Sequence, residues 1–256
     1  MPDLFNHYFV QNPFSAELLK ELLTKEGFTQ KLENITVSGD TRFDRVIDIA
    51  ENWMPVIPVE NWINGAEKVL VAGSTWAEDE EELVHFIKQN RDIKLIVAPH
   101  EVEPDLLKDT IRLFGDCVLF SDLLKEDKPG SESNILIINN VGLLSRLYKY
   151  AHVSYVGGGF SGNGIHNVLE AAVYGIPVVH GPDYEKYLEA VQLQEAGGGF
   201  PTENAIELEK QLSIFFSDKI AREKAGTASK TFVYQAKGST GKIMKYIQEN
   251  RLLTSI

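Results

Sequence analysis

One stretch constrains this chain more than any other. Residues 155–170 read Tyr-Val-Gly-Gly-Gly-Phe-Ser-Gly-Asn-Gly-Ile-His-Asn-Val-Leu-Glu, and a second apolar run over 176–179 follows, closed by Gly181-Pro182. A short apolar strand runs into a glycine-rich turn, a helix opens on polar residues, and another strand comes after it. Glycines let a backbone approach a ligand closely, and a helix N-terminus offers unpaired N–H groups to an anion. The unit is expected to hold a phosphate-bearing ligand.

The rest of the chain supplies the frame for such a unit. From residue 68 onward, apolar runs alternate with helix-like periods: strands are predicted over 68–72, 94–98, 117–120, 135–138, 153–156 and 177–180. Helices are predicted over 79–89, 102–114, 141–150, 165–174 and 184–194, with two more over 203–217 and 241–251. Continuous apolar strands fit a parallel sheet covered on both faces. Right-handed crossovers then build an α/β, Rossmann-like doubly wound domain over 69–256, with ligands at the carboxyl ends of the strands. Residues 1–44 carry two short strands and a helix that Ser15 could cap and Gly27 could end, too few apolar residues for a domain alone. Residues 45–68, with Pro55, Pro58, Asn64 and Gly65, read as a linker, although Trp53 and Trp62 imply that it packs on something.

Charge and composition narrow the function. The net charge of −12 over 256 residues argues against a nucleic-acid track and against purely electrostatic docking on anionic lipid. Cys117 is the only cysteine, so no intrachain disulfide forms and a reducing compartment is expected. No apolar run is long enough to span a bilayer, and the first eight residues lack the basic and apolar regions of a signal peptide.

Three constellations could carry chemistry. Gly73-Ser74-Thr75-Trp76 follows the end of one strand, where small hydroxyls suit a phosphate or a carboxylate but could equally cap the helix that follows. The five consecutive acids 78–82 are expected to be a solvated first turn favoured by the helix dipole, because carboxylates at consecutive positions point around a helix. His100 ends the next strand, and it is expected near Ser74. In a helix beginning near Gly164, His166 and Glu170 stand four apart on one face, with Asn167 three before Glu170. Glu170 beside a glycine loop resembles the acidic ribose binder of nucleotide folds. Gly238-Ser239-Thr240-Gly241-Lys242 mimics a P-loop but has Ala236 and Ile243 where a glycine and a hydroxyl are needed. Gly197-Gly198-Gly199 reads as a turn. Zinc-protease, metal-knuckle and nucleophile-elbow patterns are missing, so no metal is expected.

Taken in order, Gly39-Asp40-Thr41-Arg42-Phe43-Asp44-Arg45, Gly73-Ser74-Thr75, Ala98-Pro99-His100-Glu101-Val102-Glu103, Val156-Gly157-Gly158-Gly159, His166-Asn167-Val168-Leu169-Glu170 and Gly181-Pro182 resemble the 3-deoxy-D-manno-octulosonic acid (Kdo) transferases of lipopolysaccharide synthesis. The resemblance implies the C-terminal, donor-binding domain of a GT-B glycosyltransferase that moves Kdo from CMP-Kdo to lipid A precursor with inversion, at the cytoplasmic face of the inner membrane. It implies no cofactor beyond that donor substrate. It makes residues 1–44 the remnant of an acceptor domain that would carry the general-base glutamate and any membrane-docking helix, and the isolated chain inactive. Ser74 and Thr75 would face the donor phosphate, with Gly73 before them, and His100 would lie near the phosphate or cytidine. The backbone of Gly157, Gly158 and Gly159 and the helix start at His166 would accept the anion; Asn167 would orient it and Glu170 would hold the ribose. The chain departs from the family where Ala98-Pro99-His100 lacks an arginine and where Gly142-Leu143-Leu144 lacks an acid. Another GT-B nucleotide-sugar enzyme, a UDP-sugar transferase or epimerase, and a non-catalytic nucleotide-binding module are the alternatives.

Overall fold

A computed structural model describes residues 4–125 and 133–252. The chain forms two compact units, one from residues 1–48 with 234–256 and one from 49–233.

The larger unit is built on a parallel sheet. Its strands are β3 (Val69–Thr75), β4 (Lys94–Pro99), β5 (Val118–Leu119), β6 (Ile135–Ile137), β7 (Val153–Val156), β8 (Val178–His180) and β9 (Gly199–Pro201), in the spatial order β5-β6-β4-β3-β7-β8-β9. Successive side chains of a strand face opposite ways. Leu70 and Ala72 of β3, Leu95 and Val97 of β4, and Val153 and Tyr155 of β7 therefore join one core, with Leu83, Phe86 and Ile87 of α4 (Ala77–Gln89) and Leu208, Leu212 and Phe215 of α10 (Ala205–Ser217). Val69, Val71, Ile96 and Leu136 point the other way and are equally buried. On that side lie α7 (Leu144–Leu147), a 3-10 turn (Tyr148–Tyr150) and α8 (Leu169–Ala172). The chain winds outward from β3 through β4 to β5 and β6, then crosses back to lay β7 on the opposite side of β3. The topological switch point is thus between β3 and β7, where open α/β sheets leave a crevice at their carboxyl ends.

Several expectations need correction. The stretch read as a linker holds two helices, α2 (Thr41–Glu51) and α3 (Ile57–Ile63). Pro58 sits in the first turn of α3, where it costs no hydrogen bond, and Asn64 at φ 47° and Gly65 at φ 73° end it, so the apparent linker signals are helix punctuation. The boundaries at 44 and 68 accordingly differ from those of the compact units. The predicted helix 165–174 shrinks to the single turn of α8, and 141–150 breaks into α7 and the 3-10 turn. Strand β9 begins inside the Gly197-Gly198-Gly199 turn and pairs with β8. The helix α11 (Lys219–Gln235) escaped notice because its inner face is Ala225, Gly226, Ser229 and Val233, too small and polar to give an apolar period. Also present are α5 (Pro104–Phe114), α6 (Phe120–Leu123) and α9 (Leu188–Glu195).

The smaller unit pairs β1 (Tyr8–Val10) with β2 (Ile35–Val37) in parallel, joined through α1 (Pro13–Lys25) and a 3-10 turn (Thr29–Asn34). Asn12, not Ser15, caps α1, accepting the Ser15 N–H at 2.8 Å. The last helix, α12 (Ser239–Glu249), is capped by a carboxylate from far away in sequence: Asp44 accepts the Gly238 and Thr240 N–H groups, each at 2.6 Å. This explains the P-loop mimic, whose amides hold an internal carboxylate. Phe14, Leu18 and Leu22 form an exposed stripe on α1.

Burial raises the Asp44 carboxyl, but its two amide donors and Lys237 outweigh that and set it below its ordinary 3.8. A depressed folded value means that Asp44 stabilises the native state above about pH 3.8 and that this contribution fades as pH falls through the folded value. Asp44→Ala is expected to remove this acid-side slope in urea unfolding followed from pH 3 to pH 6; an unaltered slope would show that the cap contributes nothing. Leu95→Ala, in the fully buried middle of β4, is expected to cost about 2–5 kcal/mol in the same assay.

Candidate functional site

At the switch point the carboxyl ends of β3 and β7 are clasped together. The Gly157 N–H donates to the Gly73 carbonyl at 2.9 Å. Ser74 stands at φ 53°, where the β3–β4 register shifts between Gly73 and Thr75. A left-handed serine is uncommon and held only by its surroundings. Gly73 itself lies against Tyr148: a Cβ there would meet the Tyr148 hydroxyl and be 2.5 Å from Leu144 Cδ1. Tyr148 is fully buried, and burial, aided by the charge of Glu170, pushes its hydroxyl far above the usual range.

The organising group is one that the sequence reading sent to solvent. Asp79, in the first turn of α4, is 0 % exposed, and Glu80 beside it is 3 % exposed. The two acids lie on the helix stripe of Leu83, Phe86 and Ile87, three, four and seven residues apart, and that spacing could have revealed them. Asp79 Oδ1 accepts the Tyr155 hydroxyl at 2.6 Å. Its Oδ2 accepts the Gly158 N–H at 2.8 Å and the Trp76 N–H at 2.9 Å. Burial raises the Asp79 carboxyl above its ordinary value, against the pull of these donors and of the Phe160 amide. Burial likewise raises the Tyr155 hydroxyl, and the charge of Asp79 adds to the effect.

This arrangement corrects two expectations. The glycine-loop amides of Gly157 and Gly158 do not await an anion, since a carbonyl takes one and Asp79 takes the other. Thr75 does not present its hydroxyl either: it is 2 % exposed and donates to Glu80 at 2.9 Å. The glycines are required by close packing. Gly158 at φ 95° would carry any Cβ into the Gly164 carbonyl, and a Cβ on Gly159 would lie 2.7 Å from the Gly181 Cα.

What the site leaves open is side chains. Trp76, His100 and His166 form a stack: Trp76 and His100 are 4.7 Å apart between centroids at 29°, and His100 and His166 are 4.3 Å apart at 26°. The Trp76 indole N–H donates to His166 Nε2 at 3.0 Å. The backbone fixes both histidines, since the His100 N–H bonds the Thr75 carbonyl and the His166 N–H bonds the Gly157 carbonyl. Burial, followed by the neighbouring His100, lowers His166 below its ordinary 6.5. His166 and Asn167 precede the one-turn α8 and do not ride on it. Asn167 accepts the Leu169 N–H at 3.1 Å and reaches Glu170 at 3.3 Å through its amide. Asn167 thus caps the turn and steers the carboxylate. Ser74 remains half-buried at the rim.

Two cavities flank the stack. One, about 610 Å³, lies over Trp76, Pro99 and Leu106 and is lined by Glu78, Glu81 and Asp109 with Arg112. Its acidic wall makes it a poor seat for a phosphate. The other, about 170 Å³, lies along Gly162, Asn163 and Gly164 and carries Lys186. Among the described residues no group of three metal-binding side chains gathers, and no helix is long and apolar enough to cross a membrane.

Sequence comparison shows what the chain is similar to. No family model matches the chain. The 3-deoxy-D-manno-octulosonic acid transferase of Aquifex aeolicus is 30% identical over 156 residues, 59% of this chain and 42% of that protein. The transferase of the same name from Chlamydia trachomatis is 25% identical over 243 residues, 92% of this chain and 55% of its own length. The chain is a relative of the Kdo transferases. A bifunctional glycosyltransferase/methyltransferase of Fusobacterium nucleatum is 27% identical over 221 residues, 82% of this chain and 33% of that protein. The chain thus spans between a third and just over half of these relatives' lengths. In fold it matches the C-terminal CMP-Kdo binding domain of WaaA from Acinetobacter baumannii, with TM-score 0.60 and 19% identity over 74% of this chain and 98% of that one. It also matches Anabaena Alr3699/HepE in complex with UDP, with TM-score 0.56 and 12% identity over 99% of this chain and 70% of that one. The architecture is that of a GT-B glycosyltransferase domain.

In this Kdo transferase relative, the residues that sequence reasoning missed are Asp79 and Tyr148, which arrange the expected ones from behind together with Trp76, a member of the first constellation that had no role there. Replacing Asp79 tests that arrangement. Asp79→Ala strands two amide donors and a hydroxyl and is expected to cost at least about 3 kcal/mol in urea unfolding. Asp79→Asn is expected to cost less, because its carbonyl can take the place of Oδ2 and its amide can donate to Tyr155. Folding raises the Asp79 carboxyl, so the native chain holds that proton more tightly than the unfolded one. Stability from this group therefore falls as pH rises from 3.8 through the raised value, and the asparagine variant is expected to lack that fall. Equal losses in the two variants would refute the anchor role.

Proposed function

We propose that this chain is the donor-binding part of a Kdo transferase and that it binds CMP-Kdo at the β3–β7 switch point. The observation that carries the reading is the similarity to Kdo transferases across 92% of the chain. The fold match to a domain described as binding CMP-Kdo is consistent with it. His100 and His166 meet the donor phosphate or its cytidine at the ring stack, and Ser74 reaches it from the rim. Glu170, steered by Asn167, holds the ribose hydroxyls. The amides of Gly157 and Gly158 are engaged within the protein, so their role passes to these side chains, while the Gly159 amide keeps its own.

Chemically, the donor's glycosidic bond breaks as CMP departs, and negative charge grows on the phosphate. Donors fixed beforehand around that phosphate stabilise the departing group more than the intact donor. The His166 ring and the Ser74 hydroxyl would act in this way. Donor binding is what we propose of the chain directly. Transfer to lipid A precursor, with inversion and with a general base supplied by an acceptor domain, is proposed of the whole enzyme, as is its place at the cytoplasmic face of the inner membrane. The isolated chain would then bind donor without transferring it.

Calorimetric titration with CMP, with UMP as control, tests the reading. Saturable binding that favours CMP is expected. Glu170→Ala is expected to weaken it by about tenfold or more, the loss of charge-assisted hydrogen bonds to a diol. Preference for UMP would point to a different nucleotide-sugar enzyme, and unchanged affinity in the variant would remove the ribose role from Glu170.

A further inference from the structure

The Trp76 indole does more than stack. An indole N–H can only donate, so the nitrogen that it meets must present a lone pair. That nitrogen is His166 Nε2, at 3.0 Å. A histidine accepting at Nε2 is neutral and carries its single proton on Nδ1. No protein group among the described residues bonds His166 Nδ1, and the ring is half-buried, so that N–H is left without a protein partner. We infer that Trp76 is a positioning residue that fixes His166 in the neutral Nδ1–H tautomer and so keeps one hydrogen-bond donor at the β3–β7 crevice available to an anionic ligand.

The surroundings hold this state in place. Trp76 is anchored at its own backbone, where its N–H donates to Asp79. The ring planes of Trp76 and His166 are 12° apart, with His100 stacked 4.3 Å from His166. The His166 N–H bonds the Gly157 carbonyl at 3.0 Å. The titratable group that stacks on the imidazole is His100, from the end of β4. Burial, and after it the neighbouring His100, lowers His166 below its ordinary value. Asp79 is engaged with three donors. An isolated imidazole in water favours the Nε2–H form, so the tautomer here is imposed by the indole. The identity of the group that meets Nδ1–H, the donor phosphate, rests on the proposed function; the tautomer does not.

Long-range proton–nitrogen correlation spectra of the uniformly ¹⁵N-labelled chain at neutral pH read the tautomer directly, with His166→Gln assigning the signals. The wild-type chain is expected to show a protonated Nδ1 and an unprotonated Nε2. Trp76→Phe keeps an aromatic ring in the stack but has no N–H, and the proton is expected to move toward Nε2. A wild-type proton on Nε2 overturns the inference, and so does an unchanged tautomer in the folded variant. The wild-type spectrum decides by itself if the variant does not fold. In a parallel titration with CMP, Trp76→Phe is expected to bind roughly fivefold more weakly, the loss of one hydrogen bond. An Nδ1–H tautomer with no CMP binding by the wild-type chain would uphold the positioning role and count against the donor-binding reading, so the two failures are distinct.

Discussion

The site depends on one buried carboxylate. Asp79 gathers donors from three places: the hydroxyl of Tyr155 on β7, the amide of Gly158 in the loop after β7, and the amide of Trp76 at the start of α4. A buried carboxylate is tolerated only when its oxygens are satisfied, and each of these donors would be stranded without it. The contact is therefore mutual. It fastens α4 and β3 to β7 at the point where the sheet's winding reverses, and it sets where the Trp76 ring and the glycine loop begin. The left-handed Ser74 and the close approach of Gly157 to the Ser74 carbonyl, where an added Cβ would overlap it, belong to the same clasp.

That clasp alters how an anion could be recognised. Amides at glycine loops and helix starts are the usual phosphate seat. Here the protein's own carboxylate takes one such seat in the glycine loop and Asp44 takes another at α12. The helix that follows the glycine loop, α8, is a single turn whose first donor is taken by Asn167. A macrodipole summed over one turn is small, so the helix contributes little field. On the proposed reading, recognition would rest largely on side chains whose donors are placed in advance: the imidazoles of the stack, Ser74, and the carboxylate of Glu170 toward hydroxyls. In a chain of net charge −12, short-range hydrogen bonds with fixed geometry also discriminate better than a diffuse field could.

Most of the sheet was legible because its strands are buried on both faces and read as unbroken apolar runs. Val69 to Ala72 and Leu95 to Val97 needed no context. The elements that were lost lack such runs. Helix α11 presents small residues inward, β9 starts among glycines, and α3 carries a proline and an asparagine that elsewhere mark a loop. At the site the sequence indicated which strand ends to watch, and His100, His166, Asn167 and Glu170 do gather there. It misplaced the acids, because a run of five carboxylates looks solvated until the helix is seen to turn Asp79 and Glu80 toward Leu83 and Phe86. It placed Trp76 in the first constellation without a role, since nothing about a tryptophan after Gly-Ser-Thr announces a hydrogen bond to a histidine 90 residues away.

The same geometry explains why the loops at this edge tolerate few changes. Gly159 and Gly181 meet backbone to backbone where the loops after β7 and β8 touch, and a Cβ on either would fall within 3 Å of main-chain atoms of the other loop. Main chain cannot yield as a flexible side chain can, so each loop fixes the path of the other. His180 lies just before this contact, wholly buried, with Nδ1 at 2.9 Å from the Gly181 carbonyl and burial holding its pKa down to about 4. A neutral ring whose Nδ1–H donates to that carbonyl ties β8 to its own loop without placing a charge in the core. The floor of the crevice is thus rigid in its backbone and neutral in its imidazoles. Variation in what it binds would have to come from the rim, at His100 and at Asn163, exposed positions where side chains can change without disturbing the clasp beneath them.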